Sequence, residues 1–313
     1  MSLRVAAIDC GTNSIRLLVA DRGGDGRPVE VERRTMMVRL GQGVDATGEF
    51  HPDALARTFA ACDEYVRILS EVGGVDRIRF VATSAARDAA NSSVFFQGVH
   101  QRFGVEPDIV AGAEEARLSF TGAAAGVPGS EDPVLVMDIG GGSTELIRGS
   151  GGRIEHAQSL DMGAVRLRER FLHDDPPTAD QVALAREAVN LLLDGCSVPL
   201  DGVGTFIGVA GTATTMAAAH LDLPAYDRDR VHRTVLAPDV VHAMAADWLS
   251  RSVGSLRTIG SMHPQRAEII CGGALVLDEV MARVGRPLVV SESDILDGIA
   301  LGMLLDAPDS VGA

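Results

Sequence analysis

Residues 134–147, VLVMDIGGGSTELI, decide the fold, because an apolar strand delivers Asp138 directly into three consecutive glycines. Glycines between two strands commonly form a simple hairpin turn. A two-residue turn needs at most two glycines, whereas the run 140–142 has three and is followed by the hydroxyl side chains of Ser143 and Thr144. Successive amides without Cβ atoms form a concave anion site. The stretch therefore favours a hairpin whose turn is a phosphate-binding loop.

Two carboxylates flank this loop. Asp138 precedes Gly140, and Glu145 follows Thr144. Carboxylate oxygens are the hard ligands that Mg²⁺ prefers. We therefore predict that Asp138 and Glu145 bind a divalent metal, Mg²⁺ or Mn²⁺, next to the phosphate loop.

An earlier stretch repeats the pattern. Residues 3–21, LRVAAIDCGTNSIRLLVAD, form a strand-like run to Asp9, a turn and a second apolar run, and both stretches contain D-x-G-x-x-S. The turn offers backbone and side-chain donors from Gly11, Thr12, Asn13 and Ser14. Such a repeat predicts two related halves, each opening with a β-hairpin. We expect the two loops to face one interdomain cleft and to hold one phosphate chain.

Helix-like and strand-like segments alternate around these hairpins, which indicates an α/β fold. Apolar residues recur at helical spacing over 51–73, and a strand-like run follows at 77–83. The Gly/Pro-rich acidic segment GAAAGVPGSEDP precedes the second hairpin and suggests a boundary between domains. We predict domains 1–125 and 126–313, with a C-terminal helix over 294–307 that packs back on the first domain.

Residues Glu114 and Glu115 follow the small residues 111–113 and fall in the first turn of a predicted helix. Acidic residues there favour the helix dipole, which is a purely structural role. One of them could instead act as a general base for water. Adjacent helical positions differ by about 100°, so both cannot face one site. Spacing alone does not choose between them.

Two further segments carry candidate ligands for phosphate. Arg87 follows Thr83 and could offset charge on a transferring phosphoryl group, although a solvated helix residue is an equal alternative. GVAGTATTMAA runs a strand through Gly211 and Thr212 into a helix N-terminus, a favourable place for an anion.

Composition and the spacing of residue types argue against several other classes of function. The formal net charge of −15 disfavours nucleic acid or an anionic membrane as the main partner. The 4 cysteines lie far apart without a CxxC pair, which disfavours a zinc site or a disulfide framework. No apolar run is long enough for a signal peptide or a membrane span, so we expect a cytoplasmic protein.

The ordered set of motifs resembles the exopolyphosphatase/guanosine pentaphosphate phosphohydrolase (Ppx/GppA) family. Nearly the whole chain takes part, through AIDCGTNSIRLLVA, VRLGQGV, ATSAARDAAN, AGAEEARLSFTG, DIGGGSTEL, SLDMGAVRLRERF, GVAGTATT and RAEIICGG. The resemblance implies two actin-like (ribonuclease H-like, ASKHA superfamily) domains in a short two-domain form.

The resemblance also implies roles for individual residues. Glu115 matches the catalytic glutamate of the family, and Arg87 matches its phosphate-contacting arginine. Asp138 and Glu145 match acidic residues around the metal, and residues 140–144 match the phosphate loop. Near the C-terminus this chain departs from the family pattern, with Asp294 and Leu296 where many members have glycine and arginine.

The function implied is metal-dependent release of the terminal phosphate of inorganic polyphosphate, with short chains favoured, by water that Glu115 activates. The main alternative is hydrolysis of the 5′-phosphate of pppGpp. The rivals are a non-catalytic regulator that binds (p)ppGpp or polyphosphate, and an ATP-dependent kinase on the same fold. The expected partners are polyphosphate, guanosine alarmones of the stringent response, and a second copy in a homodimer.

Overall fold

The computed structural model describes residues 3–306. The described residues form two compact units, of which the first comprises 3–111 and 295–306 and the second comprises Gly112–Asp294. Each unit is built on one β-sheet. Within the described part of the chain, every helix is too short or too polar to cross a bilayer.

The first unit contains a five-stranded sheet in the order β3-β2-β1-β4-β5. Its strands are β1 (Arg4–Cys10), β2 (Ser14–Arg22), β3 (Pro28–Met37), β4 (Arg77–Ala82) and β5 (Asp108–Ile109). β1 and β2 pair antiparallel, which confirms the predicted first hairpin, and β1 pairs parallel with β4. β1 is apolar nearly throughout because the central strand of the sheet is covered on both faces.

Helices cover this sheet. They are α1 (Val44–Thr47), α2 (Pro52–Glu71), α3 (Ser84–Asp88), α4 (Ser92–Phe103) and, from the end of the chain, α13 (Ile295–Leu305). α2 begins with Pro52 in its first turn and is capped by His51, whose Nδ1 accepts from the amide of Asp53 at 3.2 Å. The helix ends before two positive-φ glycines. α13 contacts β1, β2, β3 and β4. Position 307 of the predicted C-terminal helix lies outside the described residues.

The second unit repeats the arrangement. Its six-stranded sheet has the order β10-β11-β9-β6-β7-β8. The strands are β6 (Val134–Ile139), β7 (Thr144–Ser150), β8 (Arg153–Leu160), β9 (Thr205–Val209), β10 (Val235–Leu236) and β11 (Leu288–Val290). β6 and β7 form the predicted second hairpin, and β6 pairs parallel with β9. The strand order β8-β7-β6-β9-β11 thus has the topology of β3-β2-β1-β4-β5 in the first unit, as two related halves require.

The helices of the second unit lie on both faces of its sheet. They are α5 (Gly112–Gly126), α6 (Ala164–Arg170), α7 (Ala179–Asp194), α8 (Ala210–His220), α9 (Arg228–Val231), α10 (Pro238–Ser250), α11 (Val253–Leu256) and α12 (Ile270–Val284). α5 packs on one face against Val134, Val136 and Ile147. The larger core lies on the other face, where Leu135, Met137 and Ile139 of β6 pack with α8, α10 and α12. Period-2 alternation of the strands separates the two cores.

The observed division differs from the predicted boundary after residue 125. α5 belongs to the second unit, because it packs against β6, β7 and β8. The Gly/Pro-rich segment that suggested the boundary is the loop between α5 and β6. A turn-rich composition marks where the backbone leaves regular structure, and this happens inside a unit as well as between units.

Phe95 of α4 tests the core of the first unit. Its ring is fully buried, with centroid distances of 5.8 Å to Phe50 and 6.0 Å to Phe80. We expect Phe95→Ala to lower the free energy of unfolding by about 3–5 kcal/mol, because the cavity cannot collapse fully. Val94 is 50% exposed, so Val94→Ala should change it by less than about 0.5 kcal/mol. Urea denaturation of both variants measures the difference, and equal losses would contradict this account of the core.

Candidate active site

The glycine loop between β6 and β7 is not closed as an ordinary two-residue turn. The amide of Gly140 donates to the carbonyl of Ser143 at 2.9 Å, whereas the carbonyl of Gly140 accepts from the amide of Ala164 at 3.0 Å. Ala164 is the first residue of α6. The loop is therefore fixed from outside the hairpin, by the start of a helix that follows β8.

The start of α6 also binds the next two carbonyls of the loop. Gly141 O accepts from the amides of Val165 (2.8 Å) and Arg166 (3.1 Å), and Gly142 O accepts from the amide of Gly163 (3.2 Å). In a planar trans peptide, the N–H points opposite to the C=O. The amides of Gly141, Gly142 and Ser143 are therefore turned away from α6, as a nest for an anion requires.

Gly163 permits this contact. A Cβ at position 163 would lie 2.3 Å from the carbonyl oxygen of Gly141, so any other residue would collide with the backbone of the loop. Below the loop, the buried Thr144 hydroxyl donates to the carbonyl of Met162 at 2.6 Å. The segment Met162–Arg166 thus packs closely against the glycine loop and its neighbour Thr144.

The two carboxylates of the hairpin share one face of the sheet. Asp138 and Glu145 are directly opposite each other in the β6–β7 register. Strand alternation places both on the α5 face, together with Val136 and Ile147. Both are buried, and Glu145 is only 1% exposed.

α5 separates the roles of the two adjacent glutamates. Glu114 forms a two-point ion pair with Arg117, at 2.7 and 2.8 Å. Glu115 is only 8% exposed, and its charge acts on Glu145. The geometry therefore brings Glu115, and not Glu114, to the buried carboxylates of the hairpin.

Two serines that sequence reasoning missed hold these carboxylates. The fully buried Ser119 hydroxyl donates to Oδ2 of Asp138 at 2.6 Å. The Ser159 hydroxyl donates to Oε1 of Glu145 at 2.7 Å. Ser119 lies one helical turn after Glu115, and a spacing of four residues on the predicted helix was the available signal. Ser159 could be found only from the pairing of β7 with β8.

Three acidic side chains, Glu115, Asp138 and Glu145, interact electrostatically beside the glycine loop. Burial raises the pKa of Glu145 well above its ordinary value, and the charges of Glu115 and Asp138 raise it further. Hydrogen bonds from Ser159 and Ser143 oppose this shift in pKa. Bringing carboxylates together in a buried place costs stability unless a proton or a cation neutralises one of them.

The chemistry of these donors fits a divalent cation. Asp138 and Glu145 offer oxygen ligands on one face. Burial, and after it the charges of Glu115 and Asp138, raise the pKa of Glu145, and a bound cation would offset both effects. Among residues 3–306, no three His, Cys, Asp or Glu side chains converge to hold a metal unaided. Mg²⁺ commonly uses one or two carboxylates and completes its shell with water and phosphate oxygens.

The first unit holds its own loop in the same manner. The amide of Gly41 donates to the carbonyl of Thr12 at 2.8 Å, and the amides of Val38 and Arg39 donate to the carbonyl of Asn13 at 3.0 and 2.9 Å. A Cβ at Gly41 would lie 2.3 Å from the Thr12 side chain. The loop Gly11–Ser14 therefore also turns its carbonyls toward a glycine-containing segment.

The charges of the first hairpin differ from those of the second. Arg16 stands opposite Asp9 in the β1–β2 register, where Glu145 stands opposite Asp138 in the other hairpin. Its guanidinium donates to Oδ2 of Asp9, at 3.0 Å from Nε and 2.6 Å from Nη2. The carboxylate of the first hairpin is thus engaged in an ion pair.

Arg87 lies at the same edge of the first sheet as its loop. α3 follows β4, and the amide of Thr83 donates to the carbonyl of Cys10 at 3.2 Å. The Arg87 guanidinium donates to the carbonyl of Val110 at 2.9 Å. The side chain is therefore held by the backbone that follows β5 and is not a freely solvated helix residue.

Gly211 and Thr212 lie in the first turn of α8, which begins directly after β9. Asp138 and Val209 are register partners, so α8 begins next to the glycine loop. A Cβ at Gly211 would lie 2.1 Å from the Arg266 guanidinium, which covers this position. The buried Thr212 hydroxyl instead faces α12, where a Cβ at Gly273 would lie 2.2 Å from it. Gly211 thus lies beside the loop, while the Thr212 side chain belongs to helix packing.

Comparisons with known proteins find similar chains over nearly the whole length of this one. A model described as the Ppx/GppA phosphatase family matches residues 18–306. Exopolyphosphatase 2 of Mycobacterium tuberculosis is 44% identical over 96% of this chain and 98% of its own length. The crystal structure of an exopolyphosphatase-like protein has a TM-score of 0.93 and 38% identity, covering 96% of this chain and 98% of that one. An exopolyphosphatase from Cytophaga hutchinsonii has a TM-score of 0.87 and 27% identity, covering 97% and 99%.

Gly163→Ala tests the fit of α6 under the loop. The new methyl group would meet the Gly141 backbone, which cannot rotate away. We expect a loss of about 1–3 kcal/mol in the free energy of unfolding. Gly195 has φ −86° and would meet nothing closer than 3.7 Å, so Gly195→Ala is the matched control and should remain near wild type. Thermal unfolding compares them, and a neutral Gly163→Ala would refute the close contact.

Glu145 predicts a pH dependence of stability in the presence of a chelator. Its pKa is raised on folding, so between the ordinary value of 4.5 and the raised value the folded chain binds more protons than the unfolded chain. Stability therefore falls as pH rises through this window. Glu145→Gln should flatten the slope and stabilise the chain by at least about 1 kcal/mol near the upper end.

The control for this prediction is Glu155→Gln, at an exposed position of β8. It should keep the wild-type slope. Urea denaturation at several pH values measures all three proteins, and an unchanged slope in Glu145→Gln would show that this carboxyl does not titrate abnormally.

Proposed function

This chain belongs to the Ppx/GppA phosphatase family, and on that premise we propose that it releases the terminal phosphate of inorganic polyphosphate. The family resemblance predicted from the sequence motifs is confirmed by the match over residues 18–306. A relative named Exopolyphosphatase 2, similar over nearly the full length of both chains, supports polyphosphate as the substrate.

One observation carries the proposal. A buried glutamate, Glu115, lies within electrostatic reach of Glu145, next to a loop whose amides are turned outward by α6. A base, negative oxygen ligands and an anion nest are the components that hydrolytic phosphoryl transfer needs. A protein that only binds phosphate has no need of a buried carboxylate as base.

In the proposed reaction, Glu115 accepts a proton from a water molecule as the water oxygen attacks the terminal phosphorus. The bond from that phosphorus to the bridging oxygen breaks, and the shortened chain leaves with the bridging oxygen. The amides of Gly141, Gly142 and Ser143 donate to the oxygens on which negative charge accumulates. Preorganised donors of this type supply much of the rate enhancement in phosphoryl transfer.

Asp138 and Glu145 would hold the divalent cation, Mg²⁺ or Mn²⁺. When bound, the cation would offset negative charge on phosphate oxygens. Ser119 and Ser159 keep the two carboxylates in fixed orientations, at 2.6 and 2.7 Å. The contributions of Arg87, of the loop Gly11–Ser14 and of Gly211 to phosphate binding, like the cytoplasmic location, remain predictions.

The test compares two neighbouring glutamates. Glu115→Gln removes the proposed base and should lower kcat for phosphate release from polyphosphate by about 10²–10⁴-fold. Glu114→Gln weakens a partly exposed ion pair with Arg117 and should change kcat by less than about twofold. Phosphate release is measured with Mg²⁺ on short and long chains, with circular dichroism to verify folding. A folded Glu115→Gln variant with wild-type kcat would eliminate Glu115 as the base.

The same assay with pppGpp as substrate tests the alternative activity, hydrolysis of the 5′-phosphate of pppGpp. Release of phosphate from pppGpp but not from polyphosphate would replace the proposed substrate while leaving the proposed chemistry intact. Tight binding of either compound without turnover would contradict hydrolysis altogether.

A further inference from the structure

Arg166 is a buried cation that the reaction described above does not use. The residue is only 9% exposed, and its Nε donates to the carbonyl of Gly142 at 2.7 Å. Asp161, itself largely exposed, lies 3.8 Å from the guanidinium. A buried guanidinium directed at a carbonyl of the glycine loop requires a reason.

The fold alone does not require this contact. Main-chain amides of residues 163–166 already bind the carbonyls of Gly140, Gly141 and Gly142. α6 is also held from behind, since a Cβ at Gly272 of α12 would lie 2.6 Å from the carbonyl of Ala164. Val165 packs with Ile269 in a small apolar cluster. The Arg166 side chain adds a charged donor to a loop that is already attached.

The contact acts on one particular peptide. The carbonyl of Gly142 and the amide of Ser143 belong to the same planar unit and point in opposite directions. A charge-assisted hydrogen bond to the carbonyl fixes the orientation of that plane. It also polarises the peptide, which makes the amide on the far side a stronger donor.

We propose that Arg166 is a positioning residue for phosphate binding, which acts through the Gly142–Ser143 peptide. Its guanidinium aims and strengthens the Ser143 amide as a donor to the transferring phosphoryl group. This inference rests on the proposed function for its catalytic consequence, although its effect on anion binding does not depend on turnover.

The matched control is Arg148. This residue lies on β7 of the same unit, and its guanidinium likewise donates to backbone carbonyls, those of Pro199 (2.9 Å) and Asp201 (2.6 Å). Those carbonyls belong to the loop before β9 and not to the glycine loop. Arg148→Met and Arg166→Met therefore remove the same type of contact, and only the second reaches the proposed phosphate site.

Two measurements are made on the full chain. The first is kcat and KM for phosphate release from polyphosphate with Mg²⁺. The second is the increase in Tm caused by inorganic phosphate. Arg166→Met should lower kcat/KM by about 10–10²-fold, as expected when one transition-state donor is misaligned, and should abolish the phosphate-induced increase in Tm. Arg148→Met should lower Tm without phosphate to a similar extent, but keep kcat and KM within about twofold of wild type.

Failure of the inference and failure of the proposed function are distinguishable. A folded Arg166→Met variant with kcat/KM near wild type, on an active wild type, overturns the inference and leaves the function intact. A wild type that releases no phosphate overturns the function. In that case the inference stands if phosphate raises the Tm of wild type and of Arg148→Met but not of Arg166→Met, and it falls if all three respond alike.

If Arg166→Met does not fold, Arg166→Lys decides by the same two readouts. Lysine keeps the positive charge but cannot reproduce the planar Nε donor. A loss of kcat/KM relative to Arg148→Met supports a positioning role, and equality of the two variants overturns it.

Discussion

The hydrogen bonds from the start of α6 to the carbonyls of the glycine loop are the contacts on which the site depends. They orient three peptide planes at once, because each carbonyl bound on one side directs an amide to the other. Their length requires Gly163 beneath the loop and Gly272 behind α6, since a Cβ at either position would meet backbone. The loop is consequently positioned by packing that extends through three layers of the second unit.

In both hairpins the loop carbonyls accept hydrogen bonds from a neighbouring backbone segment, but the charged residues next to the two loops differ. In the first unit, Arg16 neutralises Asp9 across the strand pair, at 2.6 Å. In the second, the equivalent position is Glu145, which adds a negative charge to Asp138 and lies near Glu115. The same type of hairpin therefore carries an ion pair in the first unit and a group of carboxylates in the second. The difference concentrates negative charge at the second hairpin and pairs it with a cation at the first.

The backbone of this site was largely predictable from the sequence, and its side-chain contacts were not. The D-x-G-x-x-S repeat predicted both hairpins, and strand alternation places Asp138 and Glu145 together whenever the hairpin forms. The choice between Glu114 and Glu115 was different, because it depends on which side of α5 faces the sheet. Ser159 and Arg166 were missed for the same reason, since their partners lie 14 and 24 residues away and only the folded chain brings them together.

Buried carboxylates make the second unit less stable than an apolar site of the same shape would be. The structure limits this cost without removing it. Ser119 and Ser159 each donate one hydrogen bond to a carboxylate, which favours the ionised form, but neither brings positive charge. The pKa of Glu145 therefore remains raised despite the hydrogen bonds from Ser159 and Ser143. A ligand that does bring positive charge binds the folded state in preference to the unfolded one, and its binding energy is thereby linked to the stability of this unit. A cation held by Asp138 and Glu145, as proposed, would relieve the same electrostatic conflict that the fold tolerates.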